Sequence, residues 1–383
     1  MGPAHSMKMI IKLIFQSLTL GQTGLWVAVS VLLGCWPARA LVIVPTFDSS
    51  ITSDPNAATI QNTINTAIQF YQARFSDPIT VTILFQEITT PGLYGHSSWW
   101  YYNVNYSTYR ARLLSHVTTT NDAIALAHLP STSANPATGT TLVRVKTSNL
   151  RAIGITGLNS GLAGGYDGII GLHTSQLNFT RTSIDPNKGD LLAMVEHEID
   201  EVLGLGSALD AGAGDPLPED LFRYTAAGVR TFTTSGDDAY FSLDGTNSIA
   251  RFNQNSGEDF GDWWTAGPHT PQVQDAFTSN GSTPNPKNEL IALDAIGYNL
   301  LPVPQPGITS ISLSGTPSTL SGTNGLASAN YYVLTSLTLT QPLSQWTAVT
   351  TNTLGTNGNF TFPFPYTVNP SEGMRFFALQ LQL

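Results

Sequence analysis

Residues 197–206, HEIDEVLGLG, carry side chains that could hold a metal ion and activate water. His197 and Glu201 are four residues apart, so on an α-helix they lie one turn apart and can bind the same ion. In the zinc motif H-E-x-x-H the Glu after the first histidine is a general base, which makes Glu198 the candidate base. A carboxylate in place of the second imidazole is an acceptable zinc ligand, although its charge weakens the ion as a Lewis acid and admits harder metals.

These three residues need a helix to position them, and the surrounding sequence predicts one. Asp190 is the expected N-cap and Gly204 or Gly206 the expected C-terminal stop. Glu196 and Asp200 fall on a third side of this helix, which we expect to face solvent. The apolar residues predict one buried arc: Leu192, Val195, Ile199, Val202 and Leu203. An amphipathic helix whose acidic residues only form a solvated surface remains an open alternative.

The elements around this helix predict an α+β fold, with a mixed α/β domain over residues 41–300. Periodicity predicts strands at residues 41–47, 79–85, 141–145, 166–172 and 239–243. It predicts helices after Asp54 to about Phe75, then at residues 108–117, 121–128 and 289–296. The glycines of the fourth strand predict a close approach to another part of the backbone.

The last part of the chain predicts a separate small module. Residues 301–307 contain three prolines and are typical of a linker. Residues 308–383 contain short Thr- and Ser-rich strands with Gly and Asn turns, which predict an all-β sandwich that accompanies the catalytic domain. This module has no histidine and no acidic cluster, so the sequence is compatible with a role as a spacer and with a role in binding.

Residues 1–40 predict a secretory signal peptide. Basic residues precede an apolar stretch, and Ala38-Arg39-Ala40 is a cleavage site of the A-x-A type. We therefore expect a secreted or cell-surface protein that begins at Leu41. The only cysteine, Cys35, lies in this leader, where lipoprotein anchoring is the alternative. After cleavage no thiol remains, so a metal must be held by His, Asp and Glu.

The charge and hydropathy of the chain exclude some classes of partner. The formal charge is −10, and loss of Lys8, Lys12 and Arg39 with the leader takes it to −13. We expect no nucleic-acid partner, because phosphate backbones would repel such an acidic chain. No segment is apolar for long enough to predict a membrane span.

Five blocks in order resemble a family of exported bacterial metalloproteases of the zincin kind. They are HEIDEVLGLG, PEDLFRY at 218–224, AYFSLDG at 239–245, FGDWW at 260–264 and LDAIGY at 293–298. The resemblance covers about residues 41–300 and implies a zincin fold, with His197 and Glu201 as zinc ligands and Glu198 as the catalytic base. The C-terminal module is similar to β-modules of large exported proteins of Verrucomicrobia-like bacteria, which implies no activity.

The third metal ligand is open. Ser207 stands where a metzincin has its third histidine, so that pattern fails. A carboxylate downstream is the gluzincin solution, and Asp220 in the PEDLFRY block is the preferred candidate, with Glu219 beside it. His269 is the second candidate, because an added imidazole would partly restore a two-histidine site.

Other side chains have weaker functional interpretations. Tyr224 could donate a hydrogen bond to an oxyanion, or it could be buried in the core. Two acidic groups in glycine-rich loops are candidates for structural Ca²⁺, although solvated turns are the simpler interpretation. They are Asp237 with Asp238, and Glu258 with Asp259 and Asp262.

The function predicted from these residues is metal-assisted hydrolysis of a protein or peptide substrate. The ion polarises the scissile carbonyl and water, and Glu198 accepts the proton of the water and passes it to the leaving amine. The alternative is a non-catalytic surface or adhesion protein that retains a zincin scaffold with a structural or decayed metal site.

Overall fold

The computed structural model describes residues 40–381 apart from residues 213, 235–237, 303–305, 314–316, 326–329, 342, 355–357 and 367–374. The predicted signal peptide, except Ala40, therefore lies outside the described residues, and so do Cys35 and Asp237. Part of the predicted linker, residues 303–305, is also outside them.

The helices agree closely with the periodicity of the sequence, and the described residues form an α+β fold as predicted. They are α1 (Ser49–Thr52), α2 (Ala57–Arg74), α3 (Tyr106–Leu114), α4 (Thr120–His128), α5 (Thr147–Ala152), α6 (Leu191–Leu203) and α7 (Lys287–Ala295). The two short helices, α1 and α5, were not predicted, since six residues or fewer carry too little periodicity to detect.

The strands of the first 300 residues are short after β6. They are β1 (Val42–Phe47), β2 (Thr80–Glu87), β3 (Gly95–Trp99), β4 (Tyr101–Asn105), β5 (Leu142–Lys146), β6 (Gly168–Leu172), β7 (Leu177–Asn178), β8 (Gly189–Asp190), β9 (Arg223–Ala226), β10 (Val229–Arg230), β11 (Tyr240–Phe241) and β12 (Ala250–Arg251). The C-terminal strands are β13 (Gly307–Ser312), β14 (Ser318–Thr323), β15 (Asn330–Ser336), β16 (Thr347–Thr353), β17 (Phe360–Phe364) and β18 (Phe376–Leu381).

The sheet that supports α6 has the order β1-β2-β6-β3. The first three strands are parallel, and β3 runs antiparallel to β6 at the edge. Gly168 lies where β6 faces α6, and a Cβ atom added there would collide with the side chain of Val202. The predicted close approach is therefore real, but the glycine makes room for a side chain of α6 rather than for backbone.

The C-terminal strands form the predicted β-sandwich. Their two antiparallel sheets have the orders β13-β14-β17 and β16-β15-β18. Both sheets contribute to one apolar core that is distinct from the large core of the preceding residues: Leu320, Tyr331, Val333, Leu354, Phe360, Phe362 and Phe364. Among the described residues, no helix combines the length and the apolar character needed to cross a membrane.

Candidate metal centre

Helix α6 presents the predicted site residues from a buried position. The Asp190 side chain caps its first turn by accepting a hydrogen bond from the Ala193 amide at 2.8 Å. Arg181 holds the same carboxylate through two hydrogen bonds of 2.8 and 2.9 Å. The helix ends at Gly204, whose φ of 152° favours glycine. The expected cap and stop are both confirmed, and they fix where His197 stands.

Glu196 and Asp200 are buried, and the prediction that they face solvent was wrong. Their residues are 5 % and 0 % exposed. Helices α2 and α7 pack against α6, and the Tyr71 hydroxyl on α2 donates to the carbonyl oxygen of Glu196 at 3.1 Å. Burial raises the pKa of Glu196 to about 8 and that of Asp200 well above its ordinary value, so burial favours the neutral form of both carboxyl groups.

His197, Glu201 and Asp262 form the group of three side chains in the described part of the chain that could hold one metal ion. One donor atom from each lies within 4.8 Å of the other two. The Nε2 atom of His197 is 3.7 Å from Oδ2 of Asp262. One imidazole nitrogen and two carboxylate oxygens are a donor set that suits Zn²⁺.

Neighbouring groups orient these donors. The Nδ1 atom of His197 donates to the carbonyl oxygen of Val273 at 3.0 Å, which leaves Nε2 free to bind a cation. The hydroxyl of Ser97 on β3 donates to Oε2 of Glu201 at 2.5 Å. The side-chain Nε2 atom of Gln274 donates to Oδ1 of Asp262 at 3.2 Å. Such partners are typical of metal ligands, because they fix the ring and carboxylate orientations.

The loop that supplies Asp262 is held against the end of α6. A Cβ atom added to Gly261 would lie 2.6 Å from the carbonyl carbon of Gly206, so only glycine permits this close approach. Glu289 on α7 accepts hydrogen bonds of 2.8 Å from both the indole of Trp263 and the backbone amide of Gln274. The loop is therefore fixed on both sides of the aspartate.

The electrostatics of the site favour a bound cation. Burial, followed by the charges of Glu201 and Asp259, raises the pKa of both Glu198 and Asp262 well above the ordinary values. Oε2 of Glu198 is buried without a hydrogen-bond partner among the described residues. Crowded carboxyl groups of this kind ionise readily only when a positive charge joins them, so the residues present fit a divalent ion.

Lys146 provides the nearest buried positive charge. It is 1 % exposed, and its Nζ atom donates to the carbonyl oxygens of Glu201 at 2.8 Å and Leu205 at 2.5 Å. The same atom lies 3.8 Å from the ring centroid of Trp99. The ammonium group thus satisfies carbonyl groups in and just after the last turn of α6.

The centre opens into a cavity of about 320 Å³. Glu198 lines this cavity together with the donor side chains of the metal group. Gly95 of the edge strand lies directly above Glu198, since a Cβ atom added there would be 2.5 Å from Oε1. In the described part of the chain, β3 pairs only with β6, so its second edge is free next to the cavity.

The structure does not bring Asp220 into the metal group. Its carboxylate accepts hydrogen bonds from the Ser207 hydroxyl at 2.6 Å, the Ala208 amide at 3.0 Å and the Leu217 amide at 2.9 Å. Glu219 accepts one from the Gly206 amide at 2.6 Å. Both residues therefore close the turn after α6, and Asp262, instead of Asp220, lies close enough to His197 and Glu201 to share one ion with them.

His269 and Tyr224 also lie outside the group of three. The His269 Nε2 atom pairs with the Asp275 carboxylate at 3.0 Å. Tyr224 is 1 % exposed, stacks on Tyr240 and receives the guanidinium of Arg230 over its ring, which agrees with the core alternative for this residue. Neither side chain lines the cavity of the centre.

The two candidate calcium groups separate in the structure. Asp237 lies outside the described residues, and Asp238 pairs with Arg251 at the surface. Asp262 belongs to the metal group, while Glu258 and Asp259 line the cavity beside it. The sequence offered calcium binding or solvated turns for these acids and did not single out Asp262 as a donor beside His197 and Glu201.

The comparisons with known proteins add no relationship. Searches of the chain against protein-family models, curated proteins and solved structures found no match.

Proposed function

We propose that the chain is an exported metal-dependent peptidase with zinc as its ion. The observation that supports this most strongly is the convergence of His197, Glu201 and Asp262 beside Glu198, whose Oε2 atom has no hydrogen-bond partner among the described residues. All four side chains line one open cavity. A metal group, an adjacent base and access for a substrate are the minimum that hydrolysis of this type requires.

A bound divalent ion supplies a Lewis acid that polarises a carbonyl group and makes water more acidic. Glu198 then accepts a proton from a water molecule in the cavity and delivers it to the nitrogen of the leaving amine. The Val273 carbonyl holds the His197 ring, and Ser97 holds the Glu201 carboxylate. These contacts reduce the reorganisation that the site needs during the reaction.

The edge strand β3 supports a peptide as the substrate. Its unpaired edge borders the cavity, and an extended peptide can add to such an edge through main-chain hydrogen bonds. Gly95 brings this strand into close contact with Glu198, because a Cβ atom added there would lie 2.5 Å from Oε1. A substrate bound in this way would pass its backbone across the base.

The proposal is tested with the purified chain, casein as substrate and metal analysis. We expect about one zinc ion per chain and cleavage that a chelator abolishes. Glu198→Gln should retain the zinc and lose activity by at least about 100-fold, because the base is gone while the ligands remain. Cleavage at the wild-type rate by Glu198→Gln would contradict the assigned role.

A second candidate function is a surface or adhesion protein with a structural metal site. The observation that favours it is the second carboxylate, since Glu201 and Asp262 together offset the charge of the ion and weaken it as a Lewis acid. Full zinc occupancy without chelator-sensitive cleavage would support this candidate and contradict the peptidase proposal.

A further inference from the structure

The cavity of the metal centre carries an excess of negative charge. No lysine or arginine lines it in the described part of the chain. Its acidic lining residues are Glu198, Glu201, Glu258, Asp259, Asp262 and Asp275. With six acidic side chains and no basic one at its lining, the cavity would attract a ligand that carries a positive group.

Most of these acids already have a partner or a role. Glu201 and Asp262 belong to the metal group, and Glu198 is the proposed base. Asp275 accepts hydrogen bonds from His269 and Ser279. Glu258 and Asp259 form no ion pair with any residue that the structure describes, and the Asp259 carboxyl shares a hydrogen bond with Glu201.

Glu258 and Asp259 are held in place by their backbone. The side-chain amide of Asn253, which is 1 % exposed, donates to the carbonyl oxygens of Asn255, Glu258 and Asp259 at 2.9 to 3.0 Å. The backbone amide of the next residue, Phe260, donates to Oδ1 of Asp210 at 2.6 Å. These backbone contacts position both acidic side chains at the cavity, where the Asp259 carboxyl also shares a hydrogen bond with that of Glu201.

A second feature of the same cavity also indicates that a ligand or solvent completes it. The carboxyl group of Glu198 is 2 % exposed, and its Oε2 atom has no partner among the described residues. A buried polar atom without a partner is costly unless a ligand or solvent satisfies it. The apolar side chains of Leu93 and Phe277 line the cavity as well and are 38 % and 43 % exposed.

We infer that the cavity selects peptides with a positively charged group near the cleaved bond, and that Glu258 and Asp259 bind this group. The inference rests on the proposed function and names its substrate class. The charge could be a lysine or arginine side chain, or the free amino terminus of the peptide. Both are amine-type cations that form charge-assisted hydrogen bonds with carboxylates.

Binding, rather than cleavage, is the direct test. The full chain is used as zinc-loaded Glu198→Gln and as metal-free wild type, with calorimetry as the readout. Three blocked peptides Ala-Ala-X-Leu-Ala carry Lys, Gln or Glu at X, and a fourth carries Gln with a free amino terminus. We expect the blocked Lys peptide, the free-terminus peptide or both to bind at least about tenfold more tightly than the blocked Gln peptide. The blocked Glu peptide should bind most weakly.

Substitutions identify the residues responsible. The double variant Glu258→Gln with Asp259→Asn should reduce the preference to less than about threefold, because the ion pairs are lost. The matched control is Asp185→Asn, which removes one exposed charge outside this cavity and should keep the preference. Zinc content is measured for each variant, and the metal-free series removes any effect of altered metal binding.

The outcomes separate the two proposals. Equal binding of the blocked Lys, free-terminus and blocked Gln peptides would overturn the inference, and so would a preference that survives in the double variant. A preference that depends on Glu258 and Asp259, in a chain that cleaves nothing, would support this inference while contradicting the peptidase proposal. Tight binding of only the free-terminus peptide would assign the cation to the chain end.

Discussion

The Nδ1 atom of His197 donates to the carbonyl oxygen of Val273 at 3.0 Å, and this contact joins two distant parts of the sequence. Because a carbonyl group only accepts, the hydrogen bond fixes which ring nitrogen carries the proton. The loop that contains Val273 also follows Asp262, whose Oδ2 atom is 3.7 Å from the free Nε2. A single loop therefore orients one candidate metal ligand and supplies another.

Asp262 and Asp220 should respond differently to the same substitution. Asp262→Asn should weaken zinc binding by at least about 100-fold, more than the loss of an indirect partner costs, because a charged donor is removed. Asp220→Asn should leave zinc affinity within about threefold of wild type and destabilise the fold by about 1–3 kcal/mol, since an amide NH₂ would face backbone donors. Chelator competition and urea unfolding measure the two effects. Weakened zinc binding in Asp220→Asn alone would restore the sequence-based assignment.

Gly261→Ala should damage the metal site without changing any ligand. The added Cβ would meet the backbone of Gly206, so the loop must move away from the end of α6. We expect zinc affinity to fall by about tenfold or more, as for other changes next to a ligand. Gly257→Ala is the control, because Gly257 has a negative φ and its nearest contact is a side-chain atom of Asn255 at 3.3 Å. Equal affinity in Gly261→Ala would show that the loop tolerates displacement.

Lys146→Met should destabilise the metal-free protein. The change keeps the apolar stem but leaves the carbonyl oxygens of Glu201 and Leu205 without their buried donor. A loss of about 2–4 kcal/mol is expected, because unsatisfied buried acceptors are costly. Urea unfolding in the presence of a chelator measures it, with Lys188→Met, at a less buried position, as the control. A change of less than about 0.5 kcal/mol, the usual size of a surface effect, would contradict this role for the ammonium group.

The metal-free protein should lose stability as the pH rises from about 5 to 7.5. Burial raises the pKa of Asp77 to about 6 and the pKa values of Asp294 and Glu289 to about 7. In the unfolded chain these groups titrate near pH 4, so over this range the folded chain holds protons that the unfolded chain has released. The melting temperature should therefore be higher at pH 5. Glu289→Gln should flatten the dependence, and a wild-type melting temperature that rises with pH would contradict the account.

Helices α2 and α6 could be predicted from the sequence, because the apolar residues of each recur at helical spacing and specify one buried face. The strand Gly95–Trp99 was missed, because its sequence GHSSW has no apolar alternation and all five residues are only half-buried. Its position at the sheet edge comes from pairing with β6, whose residues lie 69 to 77 positions further along the chain. Long-range pairing of this kind leaves no local signal.

The candidate site likewise contains some residues that the sequence could predict and others that it could not. His197, Glu198 and Glu201 could be placed from helical geometry alone. The burial of Asp200 could not be predicted in this way, because it depends on how α2 and α7 cover the third side of α6. The third donor depends on a loop 60 residues downstream, and the signal that could have identified it was the Gly261-Asp262 pair in a recognised block.

The most direct test of the central claim is the position of a bound ion. Crystals of the zinc-loaded chain, with anomalous data collected at the zinc absorption edge, give this position independently of activity. The account predicts one strong peak about 2.0–2.2 Å from His197 Nε2 and from carboxylate oxygens of Glu201 and Asp262. Side chains of these three residues that diverge around an empty space, or a peak bound by Asp220 or His269 instead, would contradict it.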